Sequence, residues 1–215
     1  MTPEAAAAAA RPRVEGDREQ EILDAALEVL ADSGYDRLTM DAVAQRAKAS
    51  KATLYRRWNS KATLVVEALA RTKSVPEVPD TGDLRSDLLS TFCGHGGLTD
   101  HDTTATLGAV LTAVSTDPEF AREFRVQVVQ PKARVSRTIF ERARDRGELR
   151  EDLDLDIVVP ALAGIVLHRV FVFGETPDPA LIQRAVDQII LPAVTPRAST
   201  PSSSHVAKNS RTSRK

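Results

Sequence analysis

The residues best placed for chemistry lie in one run, Ser50-Lys-Ala-Thr-Leu-Tyr-Arg-Arg-Trp-Asn-Ser-Lys61. Read as a helix from Lys51 with Leu54 turned inward, at about 100° per residue, the run sets Lys51 and Trp58 on either side of Leu54. Ala52 and Arg56 then point directly outward, flanked by Thr53 and Tyr55. That outward set suits the edges of base pairs. Arg56 can donate two hydrogen bonds to a guanine, Ala52 is small enough to meet a thymine methyl, and Thr53 can serve a base or a phosphate. Tyr55 has two readings, a phosphate contact or core packing; Trp58 reads as core. Catalysis has no comparable signal. A nuclease or recombinase needs clustered carboxylates or an activated nucleophile, and the acids here are scattered over helix surfaces. The lone Cys93, even with His95, supplies too few ligands for a metal. No catalytic residue, metal site or cofactor is expected.

Charge distribution points the same way. The 215 residues carry a formal net charge of only −1. Between Ala44 and Lys73, however, eight basic residues (Arg46, Lys48, Lys51, Arg56, Arg57, Lys61, Arg71, Lys73) face the single acid Glu67. Such a local surplus is the footprint of a polyanion partner, although a solvated basic face has the same composition. Lys61 follows Ser60 into the first turn of a helix, where the macrodipole disfavours a cation. A phosphate docked at that turn reverses the penalty; a tolerated surface lysine is the plainer reading. Thr39 heads another helix and can offer its amide and hydroxyl to a phosphate.

These side chains need short helices to hold them. The first is expected from Asp17, paired with Gln20 at capping-box spacing, and carries Ile22, Ala26, Val29 and Leu30 inward until Ser33-Gly34 ends it. A second begins after Thr39 with Met40, Val43, Ala44 and Ala47 on one face. Three residues, Lys48 to Ser50, separate it from the third, which Ser50 caps. Ser60 caps a fourth carrying Leu64, Val65, Ala68 and Leu69. Two short helices across a three-residue turn, the second basic, form a helix-turn-helix.

The stretch from Ile22 to Leu69, ILDAALEVLADSGYDRLTMDAVAQRAKASKATLYRRWNSKATLVVEAL, resembles the DNA-binding domain of TetR-family transcriptional regulators. Its most specific portion is Thr-Leu-Tyr-Arg-Arg-Trp followed three residues later by Lys61. The resemblance implies phosphate contacts from Tyr55 and Lys61 and a base-reading surface from Lys51 to Arg57. The full DNA-contacting set expected is Thr39, Lys48, Ser50, Lys51, Ala52, Thr53, Tyr55, Arg56, Arg57 and Lys61. One position departs from the family, which usually has Gly where this chain has Lys48. A left-handed residue other than Gly costs about 1 kcal/mol, so either the turn is reshaped or Lys48 repays the cost at a phosphate.

Residues 82–194 read as about five more helices, giving an all-α chain: an N-terminal three-helix reading domain (17–75) and a helical ligand-binding and dimerisation domain (82–194). Residues 1–16, with Arg11 and Arg13 as a possible minor-groove arm, and 195–215 are expected to be disordered. Asp117-Pro118 opens a long helix with a kink at Pro131, and Gly147 ends it. Leu155 to Phe173 is apolar on all sides, which asks for cover from a partner subunit. No apolar run is expected to reach the ~18–20 residues of a membrane span, and Met-Thr-Pro-Glu followed by six alanines, with no basic n-region and no strongly apolar core, is not expected to act as a secretory signal. The resemblance extends here weakly, through Arg146-Gly-Glu-Leu149. It implies a homodimer through the last two helices, a small-molecule effector and a bacterial cytoplasmic, nucleoid-associated setting. Candidate pocket residues are Phe92, Phe120, Phe124, Phe140, His168 and Arg169, although helical aromatics more often form core. His168 and Arg169 could equally meet an acid across the dimer, or solvent. The expected function is sequence-specific transcriptional regulation, most simply repression relieved by a ligand. The alternative is a ligand-independent DNA-binding regulator governed by a protein partner or by abundance.

Overall fold

The computed structural model describes residues 15–72, 77–94 and 101–196, with backbone alone at 15, 72 and 101–105. The expected arm residues Arg11 and Arg13, the C-terminal tail beyond 196, Lys73, Pro76 and His95 lie outside them. Every regular element among the described residues is helical. We number nine helices in this described part: α1 (Glu15–Ser33), α2 (Met40–Arg46), α3 (Lys51–Arg57), α4 (Lys61–Thr72), α5 (Leu84–Cys93) and α6 (His101–Thr116). Helix α7 runs as Pro118–Phe124, a π turn Arg125–Val129, and Gln130–Asp145. Helix α8 comprises Leu155–Val158 and Ala161–Phe173, interrupted at Pro160. Helix α9 comprises Pro179–Ala185, a π turn Val186–Ile190, and Leu191–Val194.

Side-chain caps start most of these helices. Thr39 accepts from the Ala42 amide, Ser50 from Thr53, Asp83 from Ser86, Asp117 from Glu119 and Phe120, and Asp178 from Leu181. Each satisfies an amide that the helix itself leaves unpaired. The expected Asp17 cap does not form. Helix α1 begins two residues earlier, and Gln20 donates instead to Asp24 at 2.8 Å on the exposed face. Both π turns precede a proline by two residues, Pro131 and Pro192. Widening the helix there absorbs the missing proline N–H and the clash of its ring with the preceding turn, so the helices continue through both prolines.

Two buried clusters organise the chain. The first joins α1 to α4 through Ile22, Leu30, Leu54, Trp58 and Leu64, and also takes in Val110 of α6 and Phe120 and Val128 of α7. The second packs α5, the later part of α7, α8 and α9 around Leu88, Ile139, Phe140, Leu162 and Ile182. Helices α6 and α7 thus share the core of the N-terminal helices, a mixing that the linear order of segments does not reveal.

Helix α8 corrects one expectation. Leu155–Phe173 spans 19 residues at a mean hydropathy of 1.9, long and apolar enough by length and composition to cross a membrane. One such helix is weak evidence of a membrane, because core and interface helices share the same composition. Only 17% of it is buried within the chain. Among its exposed residues, Ile157, Pro160, Gly164, His168 and Phe171 recur at steps of three and four along one face, while Asp156, Val172 and Phe173 are exposed beside them.

Candidate nucleic-acid interface

Helix α3 stands on the first core through two anchors. Leu54 is fully buried, and Trp58 is 2% exposed with its Nε1 donating to Glu67 Oε2 at 2.7 Å. Those anchors fix the rotation of α3. Ala52, Tyr55 and Arg56 consequently face outward, with Thr53 half-buried beside them, as the helical geometry requires. Tyr55 is 48% exposed, which excludes its core-packing reading. Thr53 shares a 2.7 Å hydrogen bond with the Ser50 hydroxyl, so the helix start is held from both side chains.

The turn into α3 carries backbone strain. Lys48 has φ +51°, the non-glycine residue with positive φ in the described chain. Its carbonyl accepts a 2.7 Å hydrogen bond from Arg18 of α1, and the next amide, Ala49, closes onto Ala44 at 2.8 Å. The turn therefore keeps the left-handed geometry that glycine ordinarily supplies, with α1 gripping its strained residue. Sequence reasoning missed Arg18; its partner is a backbone atom thirty residues away.

Half of the eight basic residues are matched by acids, all of which except Glu67 come from outside the stretch. Arg46 pairs with Glu28 and Asp32, Lys51 with Asp41, and Arg57 and Arg71 with Glu19 and Glu67. The Arg57 bond holds the Glu19 carboxyl below its usual range, and that ion pair in turn raises Arg57. Arg57 also lies 5.5 Å over the Trp58 ring, so it braces α3 against α1 and α4. Lys61 folds inward: its Nζ donates to the carbonyls of Tyr35 at 3.0 Å and Leu38 at 3.4 Å, and sits 4.3 Å over the Tyr35 ring. Those contacts account for a cation in a first helical turn. Among the described residues no acid pairs with Lys48 or Arg56, which are exposed with Thr39, Ser50 and Ala52.

Behind this surface, Tyr35 donates to Asp117 at 2.6 Å and Ser60 to Glu119 at 2.9 Å, joining the N-terminal helices to the start of α7. A cavity of about 660 Å³ opens just beyond that joint. Leu69 of α4, Val110 of α6, and Phe124 and Val128 of α7 line it on the side of the first core, and Phe92, Val135, Leu155 and Val159 on the side of the second.

Of the six expected pocket residues, Phe92 and Phe124 line this cavity. The other four do not. Phe120 is turned to the domain joint, 4.8 Å edge-on from the Tyr35 ring, and Phe140 is packed within the second core. Arg169 is held by a bidentate pair with Glu175 at 2.6 and 2.7 Å, and His168 lies on the uncovered face of α8, edge-on to Phe173. Helical spacing gives each aromatic an angle but not the neighbour it meets.

An all-helical chain presenting a capped, outward α3 after a three-residue turn is a helix-turn-helix DNA-binding protein. Comparison with known proteins makes the class specific. Residues 22–68 match the model of bacterial regulatory proteins of the tetR family, and residues 78–189 match the tetracyclin repressor-like C-terminal domain. An uncharacterised HTH-type transcriptional regulator of Mycobacterium tuberculosis is 38% identical over 182 residues, covering 83% of this chain and 88% of that protein. The DNA-binding transcriptional repressor TetR of Mycobacteroides abscessus is 35% identical over 187 residues, covering 84% and 96%. The crystal structure of the TetR family regulator SCO0332 superposes with a TM-score of 0.62 at 30% identity, covering 84% of this chain and all of that one. The chain belongs to the TetR family of transcriptional regulators.

Proposed function

We propose that this regulator acts as a homodimeric repressor that leaves its operator when a small molecule fills the central cavity. The observation that carries this reading is the position of the cavity on the seam between the two cores, with Leu69 of α4 in its wall. A ligand wedged there preferentially stabilises one spacing of the cores, and α4 links that spacing to α3. Coupling of this kind requires unequal ligand affinity for the DNA-bound and free arrangements. The repressor named among its relatives supports the direction of control.

Base edges are read by Ala52, Thr53 and Arg56, while Thr39, Lys48, Ser50, Lys51 and Tyr55 meet phosphates. Arg57 and Lys61 contribute mainly by fixing α3 and α4, with any phosphate contact made from the positions their intramolecular bonds allow. The apolar face of α8, together with Ile189 of α9 (51% exposed), seats a second copy of the chain. Two α3 helices related by that two-fold reach half-sites about 34–36 Å apart. A cytoplasmic setting follows from DNA as the partner.

Selection of bound fragments from sheared genomic DNA tests the core of the proposal. An inverted repeat with half-sites one or a whole number of turns apart is the expected enrichment. Recovery without sequence preference contradicts an operator-reading role.

A further inference from the structure

The turn between α2 and α3 closes with two hydrogen bonds of its own. The Lys48 amide donates to Gln45 at 3.1 Å and the Ala49 amide to Ala44 at 2.8 Å, the paired bonds of a helix that ends in a left-handed residue. Both use amides of the turn and carbonyls of α2. The Lys48 carbonyl is left over, on the residue whose φ of +51° a glycine adopts more readily. Arg18 takes it: its Nη2 reaches across from α1 and donates at 2.7 Å.

Arg18 is itself held in place. Its Nη1 pairs with Glu21 one turn further along α1, and the side chain is half-buried. With Ile22, Thr53, Arg56 and Trp58 it lines a small recess between α1 and α3. The next residue, Glu19, pairs at 3.0 Å with Arg57, the last residue of α3. Consecutive residues of α1 therefore hold α3 at both ends, Arg18 through the turn before it and Glu19 through its final side chain. Leu54 and Trp58 fix the rotation of α3 about its own axis; the two end contacts fix its tilt against α1.

Resting on the reading of α3 as the DNA-reading helix, we infer that Arg18 is a positioning residue for operator recognition, acting through the Lys48 carbonyl and not on DNA. Without its guanidinium the left-handed lysine is unclamped, the turn relaxes toward other geometries, and α3 is found less often at the angle that fits the groove. Apparent affinity falls with the fraction of molecules in the competent arrangement. Base reading needs that angle, whereas attraction to the phosphate backbone does not. Lys48→Gly allows the same φ without strain and so makes the clamp dispensable.

A double-mutant cycle on the full chain tests this, by fluorescence anisotropy on the selected operator fragment and on random duplex. Arg18→Met keeps an apolar stem and removes the donors. In the native background it should weaken operator binding about tenfold, as loss of a hydrogen bond from a charged donor does, with random duplex and the salt dependence nearly unchanged. In a Lys48→Gly background the same change should weaken operator binding by less than about twofold. Circular dichroism confirms that all four proteins are folded at the assay temperature; Arg18→Gln replaces the first variant in the cycle should that one lose helical content. Equal operator losses in the two backgrounds, or equal losses on operator and random duplex, overturn the clamp. A salt slope lowered by about 0.9 in Arg18→Met puts Arg18 on a phosphate and overturns it as well. Arg56→Ala separates the two levels of the argument. If it leaves operator binding unchanged, α3 is not the reading helix; if it weakens binding while the cycle shows no coupling, only the role of Arg18 fails.

Discussion

Arg56 and Arg57 are neighbours in the chain, and their surroundings give them different work. Arg57 spends its guanidinium on Glu19 and Glu67, whereas Arg56 points outward with no acid beside it among the described residues. Arg56→Ala should cost about 1–3 kcal/mol on the preferred operator and little on random duplex, read by fluorescence anisotropy on both. Equal losses on the two duplexes would remove Arg56 from base reading. Lys48 makes a second test because its backbone and its charge pull in opposite directions. Lys48→Gly relieves the left-handed strain at φ +51° and should stabilise the fold by up to about 1 kcal/mol, seen as a higher melting midpoint. The same change deletes an exposed cation, so all DNA should bind more weakly and the salt dependence should fall by about 0.9 in log–log slope.

Between elements, the joint of the α1–α2 loop, α4 and α7 rests on Tyr35. Its hydroxyl donates to Asp117, which in turn caps α7 at the amides of Glu119 and Phe120. Burial, reinforced by Asp117, pushes the Tyr35 hydroxyl well above its ordinary range and keeps it a donor. The Tyr35 bond chiefly holds the Asp117 carboxyl below its usual range, as the Ser86 amide does for Asp83 and Arg57 for Glu19. A carboxyl lowered in the folded state binds protons less readily than in the unfolded chain, so acid favours unfolding. The stabilisation is complete above the unfolded carboxylate range of about 3.9–4.3 and is lost as pH falls below it. Tyr35→Phe should cost about 1.5 kcal/mol at pH 7 and shrink that acid-side loss. Melting midpoints between pH 3 and 7 decide the point; an unchanged acid limb in the variant would show that Asp117 owes nothing to Tyr35.

At the scale of the molecule, the proposed dimer rests on the uncovered stripe on α8. Phe171 is 41% exposed and Ile157 69% exposed on a largely apolar helix, and exposed apolar side chains grouped on one face are the kind of surface that a partner covers. Adding a Cβ at Gly164 would meet nothing within the chain, so the stripe has room for close approach by another helix. Phe171→Asp should shift the mass measured by light scattering from two chains to one and abolish tight operator binding, with the helical content by circular dichroism retained. A variant that remains dimeric moves the interface elsewhere.

Local physics made much of this protein legible from its sequence. Caps such as Thr39, Ser50, Asp117 and the Gly147 stop bond residues only two to five positions away, and apolar periodicity rotates α2 and α3 without reference to the rest of the chain. The outward face of α3 was therefore readable in advance, whereas at Lys48 the sequence left a reshaped turn and a left-handed one both open. Tertiary structure alone decided which cations stay free, because the acids that neutralise Arg46, Arg57 and Arg71 come largely from α1, far back in the sequence. It likewise decided which aromatics meet a cavity: Phe92 and Phe124 do, while Phe120 and Phe140 at equally regular spacing are packed over. A helical repeat fixes the direction a side chain takes from its own axis. What it meets depends on how separate helices come together, and no short window of residues encodes that.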